Sequence, residues 1–146
     1  MADGIRAIQK IAMEILKKNG VDPDAGEFYL KLQKPNYDDL VIERCGDEVF
    51  VGHYFTQNGD SVPDPVLVMD YSEGYWYPVR IEQVLGETQV SFKENGKRKI
   101  YMKRVKEFKS FQAMFARNIK AQGWLNVKPQ ITVSPGKYEA KQEAAP

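Results

Sequence analysis

The sequence predicts an α+β fold in which a mostly antiparallel sheet of about five to six strands is packed by an N-terminal and a C-terminal helix. Apolar residues recur at three- and four-residue spacing near each end of the folded part, which is the period of an amphipathic helix. Between residues 28 and 102 the apolar period changes to two, which is the period of strands. We therefore assign 1–126 to a single α+β domain and the polar, Pro- and Gly-containing segment 127–146 to a flexible, disordered C-terminal tail.

Two apolar stripes predict the helices. The first helix spans 4–18, where Asp3 is placed to cap its start and Gly20 to end it. Its stripe contains Ile5, Ile8, Ala12, Ile15 and Leu16. The second helix runs from about Val105 to Gln122 and ends before Gly123. Its stripe contains Phe108, Phe111, Phe115 and Ile119.

Alternating segments predict the strands, at 28–33, 40–45, 48–55, 66–71, 75–82, 88–93 and 98–103. Residues 48–55 carry apolar side chains on both faces, which is typical of a central strand. Gly46-Asp47 and Asn95-Gly96 predict tight turns, since Gly and Asn tolerate a positive φ. Pro78 indicates a bulge or a sheet edge, because proline has no amide hydrogen for the ladder.

The composition excludes several classes of protein. No apolar run approaches about 18 residues, so we expect no transmembrane helix and no membrane partner. Charged residues inside the first apolar stretch exclude a secretory signal peptide. Cys45 is the single cysteine, which excludes an intrachain disulfide and a cysteine-rich zinc site. A cytoplasmic protein is the expectation, because the cytosol keeps thiols reduced.

Charge is distributed unevenly along the chain. Residues 1–90 contain 8 Lys/Arg and 16 Asp/Glu, a net of −8, whereas residues 91–146 contain 13 and 4, a net of +9. The segment 93–109 alone carries eight cations and two anions. Such a patch concentrates polyanions near the protein. The alternatives are that the two halves neutralise each other across the fold, or that the lysines form a solvated face.

Aromatic residues accompany the basic cluster. Single-stranded nucleic acid is commonly held by aromatic platforms beside a cationic groove, at about 1–3 kcal/mol per stacked base. We interpret Tyr75 and Tyr77 as core-facing residues of one strand. The predicted nucleic-acid-binding residues are Trp76, Arg80, Lys97, Arg98, Lys99, Tyr101, Lys103 and Arg104.

The segment 52–64, GHYFTQNGDSVPD, contains the only histidine and several polar residues of unknown role. These are His53, Tyr54, Gln57, Asn58, Gly59, Asp60 and Asp64. An imidazole with carboxylates suits a metal ion or acid/base catalysis. The interpretation we favour is structural: Asn58-Gly59 forms the tip of a hairpin in which Asp60 or Asn58 satisfies backbone amides. His53 is then expected on the face of Val49, Val51 and Phe55, within reach of a carboxylate or carbonyl of that turn.

Sequence templates for enzymes are absent. We find no phosphate-cradling glycine loop, no dinucleotide fingerprint and no nucleophile elbow. A single histidine excludes a two-histidine zinc site within one chain. The sequence therefore favours a non-enzymatic protein, and it predicts no cofactor.

The stretch 53–71 resembles the signature of a family of uncharacterised bacterial domains that phages and other mobile elements often encode. The matching residues are His53, Tyr54, Gln57, Asn58, Gly59, Asp60, Asp64 and Pro65. The segment 115–125 is similar to the closing helix of that family, through Asn118, Gln122 and Gly123. The resemblance covers 28–125 apart from the hairpin 93–104. It implies a cytoplasmic protein of mobile-element context without established activity or catalytic residues.

Three functions from different classes follow from these patterns. The first is a non-enzymatic module that binds DNA or RNA through its basic, aromatic-lined part. The second is a protein–protein adaptor or anti-defence factor that binds a host protein. The third is a metal-dependent or acid/base enzyme centred on His53, Asp60 and Asp64. A homo-oligomer is a further expectation, because oppositely charged surfaces of two copies attract.

Overall fold

The computed structural model describes residues 6–133, which form a seven-stranded antiparallel sheet, a separate two-stranded hairpin and two helices. This architecture confirms the predicted α+β class, with more strands than the five to six expected. No helix of the described chain is long and apolar enough to cross a membrane.

The helices are α1 (Ala7–Lys18) and α2 (Met102–Ala121), and a short 3-10 turn follows at Trp124–Asn126. The strands of the large sheet are β1 (Phe28–Leu32), β2 (Asp39–Cys45), β3 (Glu48–Gln57), β4 (Asp60–Asp70), β5 (Tyr77–Gln83), β6 (Gly86–Gln89) and β9 (Pro129–Val133). The separate hairpin consists of β7 (Ser91–Glu94) and β8 (Lys97–Ile100). The order across the large sheet is β6-β5-β4-β3-β2-β1-β9.

Three predicted tight turns are confirmed by positive φ angles. Gly46, at φ 61°, joins β2 to β3. Asn58 and Gly59, at φ 53° and 84°, join β3 to β4 between the paired residues Gln57 and Asp60. Asn95-Gly96 joins β7 to β8 in the same way, at φ 54° and 77°. Strand β3 lies at the centre of the sheet, as its two apolar faces indicated.

The core lies between the two helices and one face of the sheet. Both helices contribute to a single cluster of buried residues. Its strand side includes Phe28, Leu30, Leu40, Ile42, Val49, Val51, Leu67 and Met69. Its helix side includes Ile8, Ile15, Leu16, Phe108, Phe115 and Ile119. Within the described chain, the opposite face of the sheet has no helix upon it.

Two buried glutamines connect α1 to its surroundings. The backbone N–H of Ile8, in the first turn of α1, donates to Gln112 Oε1 of α2 at 2.8 Å. Gln9 Oε1 accepts the backbone N–H of Trp76 at 2.9 Å. Helix starts leave backbone N–H groups without helical partners, so Gln112 here provides one of the missing acceptors. The predicted cap Asp3 and the predicted start of the helix at residue 4 lie outside the described residues.

Several elements differ from their predicted bounds. The strand expected at 88–93 is divided at Val90, whose backbone N–H donates to the carbonyl of Val79, into β6 and β7 of different sheets. The strand expected at 66–71 begins at residue 60, and the second helix begins at residue 102 rather than 105.

The strand expected at 98–103 ends at Ile100, because Tyr101 donates its backbone N–H to the carbonyl of Val90 and α2 begins at once. Residues 129–133, assigned above to the tail, pair with β1 as the edge strand β9. Their Ile-Thr-Val sequence is rich in β-branched residues, which favour strands. The remainder of the predicted tail lies outside the described residues.

Two irregularities shape the middle of the sheet. Pro78 pairs with Met69 where the register of β4 against β5 shifts, which confirms the predicted bulge. A second shift separates Gly52 from Tyr54 in β3. A Cβ at Gly52 would lie 2.5 Å from Val66 Cα and 2.8 Å from Val66 Cγ2, and closer still to the Pro65 carbonyl oxygen. Glycine is therefore required here for space rather than for a positive φ.

We expect Gly52→Ala to lower the free energy of unfolding by about 2 kcal/mol or more, because overpacking typically costs about 1–3 kcal/mol and the obstructing atoms are backbone. Denaturation by urea measures the change. The control is Gly59→Ala, where a Cβ meets nothing within 4 Å and the left-handed conformation alone costs about 1 kcal/mol. An effect at Gly52 no larger than at Gly59 would contradict the packing explanation.

Candidate nucleic-acid interface

The alternation of side chains along β8 divides the predicted basic cluster. Successive side chains of a strand point to opposite faces, so Lys97 and Lys99 share one face and Arg98 and Ile100 share the other. Lys97 and Lys99 are exposed, whereas Arg98 is largely covered. Three adjacent cations in the sequence therefore have two different roles in the structure.

Arg98 attaches the hairpin to the large sheet. Its Nη2 lies 2.5 Å from Asp70 Oδ2, and its Nη1 donates to Ser91 Oγ at 2.9 Å. Its guanidinium also lies 4.2 Å from the centre of the Tyr77 ring. Ser91 is fully buried and donates to the carbonyl of Pro78 at 2.5 Å. These contacts attach the hairpin to the large sheet, and they engage the guanidinium of Arg98 within the protein.

The remaining predicted residues of this region are all exposed, and we call them together the hairpin surface: Lys97, Lys99, Tyr101, Lys103 and Arg104. Tyr101 is 42% exposed and its ring centre lies 5.8 Å from that of Phe92. The Arg104 guanidinium lies 4.4 Å from the Tyr101 ring centre and donates to the carbonyl of Gln89. The hairpin surface thus combines an aromatic pair with a positioned guanidinium and exposed ammonium groups.

Trp76 and Arg80 do not belong to the hairpin surface. The prediction that Trp76 contacts nucleic acid requires an exposed ring and is wrong, because Trp76 is 3% exposed and belongs to the core. Tyr75 and Tyr77, predicted to face the core, are half-exposed. Tyr77 pairs with Asp70, and the bulge at Pro78 reverses the alternation that the sequence indicated.

Arg80 is held among carboxylates on the sheet face that has no helix. Its Nε lies 2.8 Å from Glu82 Oε2, and its Nη1 lies 3.2 Å from Glu48 Oε2. Glu87 lies slightly farther away, at 3.9 Å. Glu48 pairs across the strands with Asp70, the partner of Arg98, so Arg80 and Arg98 bind neighbouring carboxylates. Lys97 and Lys99 take no part in these ion pairs.

Sequence reasoning missed several neighbours of the hairpin surface. Ile100 and Met102 are 40% and 72% exposed on either side of Tyr101. Lys93 and Lys106 are also exposed. The alternation of side chains along β8 could have indicated which cations face outward, because successive residues of a strand point to opposite faces.

His53 connects β3 to α2 and the 3-10 turn. Its Nδ1 lies 3.1 Å from the carbonyl oxygen of Asp38, and its ring centre lies 5.5 Å from Phe115 and 5.6 Å from Trp124. Burial lowers the pKa of His53, although the backbone and charges of Asp38 and Asp39 act in the opposite direction. A neutral ring that donates Nδ1–H to the carbonyl suits these contacts. The role is structural, as the sequence favoured, but the carbonyl belongs to Asp38, which precedes β2, rather than to the Asn58-Gly59 turn.

The other polar residues of the motif have separate partners. Asp60 lies at the exposed end of the β3–β4 hairpin. Asp64 Oδ1 accepts the backbone N–H of Val84 at 3.3 Å. Burial raises the pKa of Tyr54 well above its ordinary value. Among the residues that the structure describes, no group of three or more His, Cys, Asp or Glu side chains is placed to hold a metal ion.

A groove of about 690 Å³ lies between α1 and the loop 20–24. Lys10 and Lys17 line it together with the carboxylates of Glu14, Asp22 and Asp24. Because its charges are mixed, the groove favours a polyanion less than the hairpin surface does.

A family model described as Domain of unknown function (DUF6908) matches residues 8–125. The match begins in α1 and ends in the 3-10 turn, so it includes both helices and the β7–β8 hairpin. No curated protein and no solved structure matches the chain.

We expect Asp70→Asn to loosen the β7–β8 hairpin. Hydrogen bonds to charged groups contribute about 1.5–3 kcal/mol, so a loss of about 2 kcal/mol would accelerate amide exchange in β7 and β8 about 30-fold. Hydrogen exchange followed by mass spectrometry measures this. Asp60→Asn, at an exposed turn, is the control. Unchanged exchange in the hairpin would show that Asp70 does not hold it.

We expect the contribution of His53 to the free energy of unfolding to decrease as the pH is lowered. Because its folded pKa lies below the ordinary 6.5, the unfolded chain binds the proton more readily. The contribution is therefore complete above pH 6.5 and is lost as the pH falls below 6.5 towards the folded pKa. As His53 is the only histidine, one imidazole NMR signal reports this pKa directly. His53→Gln should reduce the pH dependence of unfolding there, and a folded pKa at or above 6.5 would contradict this account.

Proposed function

We propose that this chain, which belongs to the family described as Domain of unknown function (DUF6908), is a non-enzymatic module that binds single-stranded nucleic acid through the hairpin surface. The observation that carries the proposal is the exposed ring of Tyr101, which contacts Phe92 and Arg104 beside Lys97 and Lys99. Ammonium and guanidinium groups attract phosphates, and aromatic rings stack on bases without regard to sequence.

The ion pairs of the chain support this proposal over mutual neutralisation of the two charged halves. The ion pair between Arg98 and Asp70 joins the basic part of the chain, residues 91–146, to the acidic part, residues 1–90. The other ion pairs of the described residues lie within residues 1–90: Lys31 with Asp39, and Arg80 with Glu48, Glu82 and Glu87. No ion pair in the described chain includes Lys97, Lys99 or Lys103. Their charge is therefore directed to solvent, where a polyanion can reach it.

The mobile-element context and the cytoplasmic location belong to the same proposal. Their support is the resemblance of residues 53–71 to a signature that phages and mobile elements often encode. A stacking surface accepts single-stranded DNA and RNA alike, because every base has a π-face.

We expect labelled oligothymidylate to bind in fluorescence anisotropy, with an affinity that falls steeply between about 50 and 200 mM salt. Replacing Lys97, Lys99 and Lys103 by Gln should reduce the logarithmic salt slope by about 2, at about 0.7 per phosphate contact. Tyr101→Ala should weaken binding at least about fivefold at all salt concentrations, since a stacked base contributes about 1–3 kcal/mol.

The matched control replaces Lys10, Lys17 and Lys18 by Gln, which removes the same charge from the exposed side of α1. This control should leave the salt slope unchanged. Equal losses from the two triple variants would show that net charge, rather than the hairpin surface, attracts the oligonucleotide. Absence of binding at low salt would overturn the proposed function.

A further inference from the structure

The sheet face opposite the helices, which we call the open face, is a second organised surface. Strand register places Tyr29, Glu43, Phe50, Val68 and Arg80 in one row across β1 to β5. The neighbouring row contains Lys31, Val41, Gly52, Val66, Glu82 and Glu87. The valines are buried, whereas Tyr29, Phe50 and Tyr54 are half-exposed. The open face therefore presents aromatic rings above a layer of small apolar side chains.

Carboxylates predominate around these rings. The open face carries six of them, namely Asp39, Glu43, Glu48, Asp70, Glu82 and Glu87, against Lys31 and Arg80 of its own strands. Burial together with the charges of Glu43 and Asp39 raises the pKa of Tyr29 to about 12, as expected for a tyrosine in a negative potential. The surface is thus both aromatic and acidic.

One cation from the basic part of the chain already binds to this face. Arg98 of the hairpin meets the carboxylate of Asp70 and the ring of Tyr77, at 2.5 Å and 4.2 Å. A carboxylate combined with an aromatic ring is a favourable site for a guanidinium or an ammonium group. Glu43 pairs with Tyr29 across β1 and β2, so a carboxylate and an aromatic ring are also neighbours farther along the open face.

We propose that the open face of one copy binds the hairpin surface of a second copy of this chain. Both complementary surfaces belong to the same chain, and its net charge of +1 causes little repulsion between copies. The contact is heterologous, since different surfaces of the two copies meet. It stands independently of the proposed function, and where both hold, nucleic acid and the second copy compete for the hairpin surface.

Sedimentation velocity at low salt tests this proposal with two neutralised variants. One carries Glu43→Gln and Glu87→Gln on the open face, which spares the ion pairs of Arg80 with Glu48 and Glu82. The other carries Lys97→Gln and Lys99→Gln on the hairpin surface. We expect wild type to associate at low salt and to dissociate as salt rises. Each variant alone should associate at least tenfold more weakly, because one partner of the contact has lost its charge.

Mixing the two variants is the decisive measurement. The hairpin surface of the first and the open face of the second are intact, so one strong contact can form, and the mixture should give complexes that stop at two copies. Lys17→Gln with Lys18→Gln is the control and should associate like wild type. Circular dichroism verifies that each variant folds.

A wild type that is monomeric at low salt would overturn the inference, and so would a mixture that associates no better than its components. Either result can occur while oligothymidylate still binds, which would leave the proposed function intact. Conversely, association between copies without binding of oligothymidylate would support this inference and overturn the proposed function.

Discussion

Two helices cover one face of a seven-stranded sheet, and the remaining features of the described chain depend on this one-sided burial. The covered face is largely apolar, because α1 and α2 exclude water from it. The opposite face must satisfy its own side chains, so its buried valines lie beneath tyrosines, a phenylalanine and paired charges. Antiparallel sheets commonly have this combination of a core face and a solvated face. Here the solvated face holds a concentration of carboxylates.

The position of the basic hairpin also depends on the arrangement of the sheet and the helices. The chain between β6 and α2 forms β7 and β8 as a hairpin outside the large sheet, and the backbone of Val90 at its base bonds to Val79 of β5 and to Tyr101. The ion pair of Arg98 with Asp70 ties this hairpin to the open face, while the alternation of β8 directs Lys97 and Lys99 away from it. A single strand thereby separates one structural cation from two solvent-facing ones. Charge segregated along the sequence becomes charge segregated on the surface.

The polar motif of residues 53–64 has a structural role, and its histidine lies on the helix-covered face of the sheet. His53 contacts the carbonyl of Asp38 and the rings of Phe115 and Trp124, so it connects the central strand to the end of α2. Trp124 is fully buried and also contacts Tyr37. A histidine placed in this way contributes packing and a hydrogen bond. The combination of His, Asn, Gly and Asp in this segment is thus explained by a turn and an aromatic contact.

The sequence by itself determined the α+β class, the two helices, the central position of β3 and the turns at Asn58-Gly59 and Asn95-Gly96, because periodicity and positive-φ residues are local properties. It also located the basic cluster, but only the tertiary structure separated Arg98 from Lys97 and Lys99 and moved Trp76 into the core. The orientation of Trp76 depends on the bulge at Pro78, and that of Arg98 depends on Asp70, which lies 28 residues earlier in the chain. Local patterns show which residues are close in sequence, whereas burial and ion pairing depend on which strands become neighbours.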